Sequence, residues 1–283
     1  MSVNEVKTAV VQTDPKLGEV AHNLQETKYW VKEAHKQGAK LAVFPECSLT
    51  GYQFQDEASS RESALRIGDT WTQELQQLAK ETDIHIVVGF VEDAGEDLYN
   101  ALLVIAPDGE LFKHRKAHLS NLGVDNFILQ GEDPFEVFDT SIGKLGCFIC
   151  YEARFPEHSR SLVLDGADIL VHITNLPETA NDQVDLLLPA RANENRVFLL
   201  SSGRVGEENG YRYLGRSSIY GVEGEVLDQA DRTSETIIYS TIDLEVARNK
   251  EVYYPPRDGK PKGHINPLFS RRRPELYSRL VKQ

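Results

Sequence analysis

The chain has 283 residues, 40% of them hydrophobic and 27% charged, the composition of a water-soluble globular protein large enough for one sizeable core. Its net charge of −13 argues against nucleic acid as a partner. No apolar run approaches 18 residues, so no membrane span is expected, and Met1-Ser2-Val3-Asn4-Glu5 lacks the basic-then-apolar pattern of a signal peptide, which makes a cytoplasmic location the default expectation.

Residues 7–13 read as a strand. Residues 22–37 have helical spacing through Leu24, Trp30, Val31 and Ala34, closing at Gly38. A short buried strand over 41–44 runs straight into Pro45-Glu46-Cys47. A helix over 70–80 and strands over 84–91 and 99–106 follow. Pro107-Asp108-Gly109-Glu110 then turns the chain back through 111–114 as a hairpin. The charged stretch His114-Arg115-Lys116-Ala117-His118 comes next, and 120–133 reads as loop.

Strands are predicted over 135–138 and 144–150, and a helix over 155–164 closed by Gly166. A strand over 167–173, a turn at Asn175-Leu176-Pro177, a helix over 182–195 and a strand over 197–201 continue the pattern. Strands over 217–220, 225–228 and 235–242 and a short helix over 243–250 complete it. Helices alternate with strands while hairpins interrupt the alternation, which predicts an α/β fold with mixed sheets and helices on the outer faces. No linker rich in Gly, Ser or Pro divides the chain, so residues 1–283 are read as a single domain.

The charge is uneven. Residues 252–283 hold eight Lys/Arg against two acids, so this tail carries +6 and the remainder −19. The expectation is that the tail packs on its own acidic body or on a neighbouring subunit. Three cysteines, Cys47, Cys147 and Cys150, are too few for a disulfide framework. Cys147 and Cys150 form a CxxC, but no second ligand pair exists for zinc. Cys147 is read as a small core residue on its strand. A thiol-redox protein remains the alternative, and it predicts a reversible Cys147–Cys150 disulfide.

Three strand ends present reactive groups: Glu46, Lys116 and Cys150. Active sites form at strand carboxyl ends, so a fold could bring them together. A carboxylate can take a thiol's proton and later activate water. A lysine can stabilise a tetrahedral oxyanion. Cys150 leaves a strand for a helix, and a helix N-terminus lowers a thiol's pKa. Such a set suits nucleophilic acyl transfer.

The blocks around these residues are Phe44-Pro45-Glu46-Cys47-Ser48-Leu49-Thr50-Gly51-Tyr52, Arg115-Lys116-Ala117-His118-Leu119 and Cys150-Tyr151-Glu152-Ala153-Arg154-Phe155-Pro156-Glu157. In order and separation they resemble the three signature blocks of the nitrilase superfamily of carbon–nitrogen hydrolases. Gly166-Ala167-Asp168-Ile169-Leu170, the run from Leu188 to Asn195, and Arg272-Arg273-Pro274-Glu275-Leu276-Tyr277 extend the likeness over nearly the whole chain.

The resemblance implies a four-layer α-β-β-α sandwich with two mixed sheets and a Glu46-Lys116-Cys150 triad. It also implies a thioester intermediate, an oxyanion held by Lys116 and the Tyr151 backbone N–H, and no metal or organic cofactor. It implies a small-molecule amide substrate and assembly into a homodimer or larger homo-oligomer, for which the helix over 155–164 and the basic tail are the candidate contacts. Cys150-Tyr151-Glu152 resembles the amidase, omega-amidase and carbamoylase branches more than true nitrilases. A nitrile hydrolase and a catalytically silent binding or regulatory protein are the alternatives.

Many members of that family carry a second glutamate seven residues before a glycine. Seven residues before Gly131 stands Val124, with Asp125 one position off. Asp125 is a candidate substrate-positioning acid, although a solvated loop charge is the plainer reading. His118 is a candidate for substrate contact or loop support. Asn175 is a candidate for lining the pocket. His172 reads as a satisfied core histidine, Cys47 as packing on the face opposite Glu46, and Glu152 with Arg154 as a structural salt bridge. Arg191 reads as a contact to an acidic substrate or between subunits.

Overall fold

Strand β1 (Glu5–Gln12) sets the layering. Its Val6 and Val10 enter one core and its Ala9 and Val11 another, because successive strand side chains point to opposite faces. The computed structural model describes residues 4–256 and 262–282. It contains two six-stranded mixed sheets. The first has the order β14-β1-β2-β3-β4-β5, where β2 is Leu41–Val43, β3 His85–Asp93, β4 Leu98–Ile105, β5 Leu111–Arg115 and β14 Thr236–Asp243. Its β1, β2 and β3 are parallel, and hairpins add β4 and β5.

The second sheet has the order β13-β12-β9-β8-β7-β6. Here β6 is Val137–Thr140, β7 Gly143–Ile149, β8 Ile169–Thr174, β9 Phe198–Gly203, β12 Ser218–Tyr220 and β13 Val226–Gln229. Its three central strands β7, β8 and β9 are parallel. Helices α1 (Val20–Lys36) and α3 (Thr70–Thr82) cover the outer face of the first sheet through Leu24, Val31, Trp71 and Leu75. Helices α4 (Pro156–Leu164) and α5 (Leu188–Asn195) cover the second through Leu162, Val163, Leu188 and Ala192. The inner faces share one core in which Val10, Val43, Val87 and Leu102 meet residues of the second sheet. Strands buried on both faces explain the unbroken apolar runs at 41–44, 84–91 and 145–149. The architecture is the expected four-layer sandwich.

Several elements carried no signal in the sequence. Helix α2 (Glu57–Ser63) has no apolar stripe and is held by a capping box between Asp56 and Ser59. Two small hairpins, β10 (Glu207–Glu208) with β11 (Tyr211–Arg212) and β15 (Glu251–Tyr254) with β16 (His264–Pro267), were likewise not anticipated. The predicted helix over 182–195 begins as a π turn, Gln183–Leu187, before α5. The helix after β14 is the five-residue α6 (Leu244–Arg248). No described helix is long and apolar enough to cross a membrane.

The tail touches the body at Phe269, on which Arg160 and Lys250 stack as cations. Leu276, Leu280 and Val281 stay exposed. Arg257, Asp258 and Lys260 of the predicted basic tail lie outside the described residues.

Gly89 of β3 sits beneath the turn that follows β2. A Cβ there would stand 2.5 Å from the Cys47 backbone nitrogen and 2.8 Å from Glu46 Cα. Both neighbours are backbone, so they can yield only by moving the turn. Gly89→Ala is expected to cost about 1–3 kcal/mol of stability, as overpacked cores do, because it must displace the turn that carries Glu46 and Cys47. Urea unfolding reads the effect; an unchanged midpoint would contradict this account of the turn.

Candidate active site

Four strand ends, two from each sheet, each deliver one polar group. Glu46 lies three residues past β2, Lys116 directly after β5, Cys150 directly after β7 and Asn175 directly after β8. Glu46, Lys116 and Asn175 are at most 1% exposed, and Cys150 is 8% exposed. The Lys116 ammonium donates to Glu46 Oε1 at 2.8 Å and to Asp125 Oδ2 at 2.6 Å. Asn100, in β4, bridges the two carboxylates, donating from Nδ2 to Glu46 Oε1 at 2.7 Å and to Asp125 Oδ1 at 3.0 Å. Asn175 donates its backbone N–H to Glu46 Oε2 at 2.8 Å and its side-chain amide to the Glu46 carbonyl at 3.0 Å. The glutamate is thereby fixed from three strands.

Asp125 is not a solvated loop charge. The 3-10 turn Gly123–Asn126 turns it inward, and the residue is 5% exposed. Ser120 donates to its Oδ2 from both N–H and hydroxyl, at 3.0 and 2.8 Å. Gly123 makes the turn possible: its φ is +55°, and a Cβ would stand 2.6 Å from the Tyr52 ring. Val124 is a buried apolar residue packed beside Tyr52 and Ile128.

The electrostatics follow from burial. Burial pulls the Lys116 pKa down, but the Glu46 and Asp125 charges outweigh it and hold the ammonium well above its ordinary value. Burial raises the Glu46 pKa; Lys116 opposes this and Asp125 adds to it. Burial, then the Glu46 charge, pushes the Cys150 thiol up to about 12, with Lys116 pulling the other way. The expected lowering by a helix N-terminus is therefore not found. Cys150 opens a 3-10 turn, Cys150–Arg154, and α4 starts only at Pro156. At neutral pH the resting thiol keeps its proton, so attack requires a base.

The backbone at Cys150 is held in the left-handed region, with φ +50°, a conformation costly for a side chain with a Cβ and one that over-determined surroundings must impose. His172 Nε2 lies 3.1 Å from the Cys150 carbonyl, and its Nδ1 lies 2.9 Å from Ser201 Oγ. Burial lowers the His172 pKa to about 4, so the neutral ring donates to the carbonyl and accepts from the serine. His172 is thus satisfied, as its core reading requires, and it also ties down the turn. Tyr151 lies half-buried in that turn, its ring edge-on to Phe155.

Glu152 and Arg154 do not pair. Glu152 is fully buried; its Oε2 accepts from Ile149 N–H at 2.7 Å and its Oε1 from Ala117 N–H at 2.8 Å. It thus links the Cys150 turn to the segment bearing Lys116. Arg154 points to solvent and meets Asp182. Arg191 is buried: its Nε donates to the Ala153 carbonyl at 3.0 Å, and Nη1 pairs with Glu194. His118 stacks on Phe155 at 4.1 Å and faces Glu152, with no described hydrogen bond to Glu46, Lys116 or Cys150. Cys47 sits in a turn after its strand has ended, at φ +49°, buried among Tyr52, Val91 and Leu98. All three cysteines are free. Asn100 was not anticipated; its one sequence signal is a lone amide inside the apolar run 98–106.

Fold and site together define a two-sheet α/β enzyme with a buried thiol beside a buried ammonium–carboxylate cluster. Residues 7–251 match the family described as carbon-nitrogen hydrolase, and the chain belongs to that family. It is 38% identical over 277 residues to a nitrilase from Pyrococcus abyssi, covering 97% of this chain and 100% of the relative. It is 37% identical over 239 residues to an omega-amidase from Mus musculus, covering 79% and 83%. An N-carbamoylputrescine amidase from Arabidopsis thaliana is 30% identical over 286 residues, with 93% and 91% covered. Among solved structures, an amidase from Nesterenkonia sp. shares the fold with a TM-score of 0.80 at 21% identity, over 99% of this chain and 98% of that one.

Proposed function

We propose that the protein hydrolyses the carbon–nitrogen bond of a small linear amide or N-carbamoyl compound, with Glu46, Lys116 and Cys150 as its catalytic residues. The observation that carries this is the hydrogen-bonded Glu46–Lys116–Asp125 cluster beside the buried Cys150 thiol. As Cys150 Sγ attacks the carbonyl carbon, Glu46 takes the thiol proton. Lys116 and the Tyr151 N–H hold the negative oxygen. Glu46 passes the proton to the departing nitrogen, ammonia or an amine leaves, and a thioester remains. Water then attacks as Glu46 removes its proton; the acid departs, and the thiolate regains a proton from Glu46. Asp125 keeps Lys116 charged and in place, the part a second carboxylate plays here, and Asn175 holds Glu46 through two hydrogen bonds.

A nitrile is the second candidate substrate, favoured by the nitrilase name of the Pyrococcus abyssi relative. Ammonia release across amides, omega-amides, N-carbamoyl amino acids and nitriles decides between them. Turnover of nitriles alone would overturn the amide assignment, and no turnover in any class would leave the silent binding protein. The homodimer or larger assembly through α4 and the tail is also a proposal. The exposed Leu276, Leu280 and Val281 support it, and a monomer in sedimentation at micromolar chain would end it.

The pH profile has a definite sign. Glu46 must be unprotonated to act as base, and its pKa is raised. The acid limb of kcat/KM should therefore rise with pH above the ordinary carboxylate range of about 4.3. Cys150, near 12, and Lys116, well above its ordinary value, do not titrate near neutrality, so a plateau should extend through mildly alkaline pH. An activity that climbs through pH 8–9 instead would mean that free thiolate, not Glu46-assisted thiol, is the attacking species.

A further inference from the structure

Around Glu152, in the Cys150 turn, lies a second cluster that the proposed reaction does not use. Glu152 is surrounded by three imidazoles. His114 Nε2 lies 2.9 Å from Glu152 Oε2. His158 Nδ1 and His118 Nδ1 lie 3.7 and 3.8 Å from Glu152 Oε1. Phe135 stacks on His158 at 3.7 Å, and Phe155 on His118 at 4.1 Å, which fixes the ring planes.

The hydrogen bonding is incomplete. Neither ring nitrogen of His158 has a partner, although the residue is 1% exposed, and His118 Nδ1 is buried without one. Buried polar atoms almost always find partners, so three orphaned imidazole nitrogens around one carboxylate call for an absent group. One ligand atom each from His114, Glu152 and His158 already lies within 4.8 Å of the other two. Two ligands on a tetrahedral zinc stand about 3.4 Å apart, given bonds near 2.0–2.1 Å. His158 Nδ1, at 3.7 Å from Glu152 Oε1, stands a few tenths of an ångström from that value, and His114 Nε2 lies on the other oxygen of the same carboxylate.

We propose that His114, Glu152 and His158 bind one divalent transition-metal ion of the zinc class. Imidazole-rich sites with a single carboxylate select such ions over magnesium or calcium. Glu152 Oε1 accepts only one backbone N–H and keeps a lone pair for the metal, while Oε2 remains on Ile149 N–H. The ion would join three pieces of chain: the segment bearing Lys116, the turn bearing Cys150, and α4. It would brace the active site without touching substrate. This inference does not depend on the amide reading.

The test uses the untagged full chain, stripped with chelator and titrated with Co2+ as a spectroscopic stand-in for Zn2+. The expected result is one Co2+ per chain with tetrahedral d–d absorption and no thiolate charge-transfer band. Binding should persist in Cys150→Ala and weaken at least about tenfold in His158→Gln and His114→Gln. Zn2+ at a hundredfold over its Kd should raise Tm by roughly 5 °C or more. X-ray absorption of the wild-type complex should show imidazole scattering and no sulfur, a readout that stands even where a variant fails to fold. No uptake of Co2+ would overturn the proposal, and so would a sulfur ligand or full affinity in folded His158→Gln.

Discussion

Cys150→Ala is expected to abolish turnover, lowering kcat by about 10⁴-fold or more, because the covalent route disappears with the nucleophile. The same change should leave the protein folded. It removes one sulfur from a small side chain whose carbonyl stays bonded to His172 and whose turn stays pinned by Glu152. Alanine at φ +50° inherits the strain already present at Cys150. Thermal unfolding and ammonia release measured on one preparation separate the two effects. Substrate affinity by calorimetry should survive in the variant. A Cys150→Ala enzyme with substantial turnover would remove the thiol from the reaction.

Lys116→Met is expected to damage both activity and stability. Removing one partner from a buried charge cluster leaves the others uncompensated, at a cost of about 3–5 kcal/mol. Here two carboxylates, Glu46 and Asp125, would face each other through Asn100 with no cation between them. Lys116 is the group that opposes the rise of the Glu46 pKa, so its loss drives that pKa further up. A carboxyl whose folded pKa exceeds its unfolded one favours the native state at low pH and loses that advantage as pH rises through the folded value. The stability deficit of the variant should therefore be larger at pH 8 than at pH 5, whereas an ordinary loss of packing costs the same at both. Paired urea melts at the two pH values check this. An equal deficit at both would mean that the lysine contributes volume rather than charge. Activity should fall by about 10³-fold or more, since a lost oxyanion donor alone accounts for about 10²–10³.

Much of this arrangement was legible because apolar runs stop abruptly at reactive groups. Val43 to Glu46 and Ile149 to Cys150 mark such ends, Lys116 follows the end of a charged hairpin strand, and active sites form at strand carboxyl ends. Asp125 was harder to read. A fixed count back from Gly131 assumes a loop of fixed length, whereas the 3-10 turn built on Gly123 sets the direction of the side chain. Asn100 was invisible because nothing in a strand's pattern separates a buried bridging amide from a tolerated polar residue.

Glu152 and Arg154 looked like partners by proximity in sequence. In a 3-10 turn, however, residues two apart point in different directions, so one went to the core and the other to solvent. The thiol pKa was misjudged for a related reason. The strand-to-helix change suggested a helix dipole at Cys150, but the turn intervenes and burial dominates. The histidine cluster around Glu152 draws on residues as far apart as His114 and His158, and only the packed chain brings them together.

The central claim is that Cys150 becomes covalently acylated during turnover. Rapid-quench mass spectrometry of the wild-type chain mixed with its best amide substrate tests it most directly. The account predicts a transient mass gain equal to the acyl group, mapped to the peptide containing Cys150 and absent from Cys150→Ala. Ammonia release at full rate with no adduct on any cysteine, or an adduct on Cys47 or Cys147 instead, would contradict it.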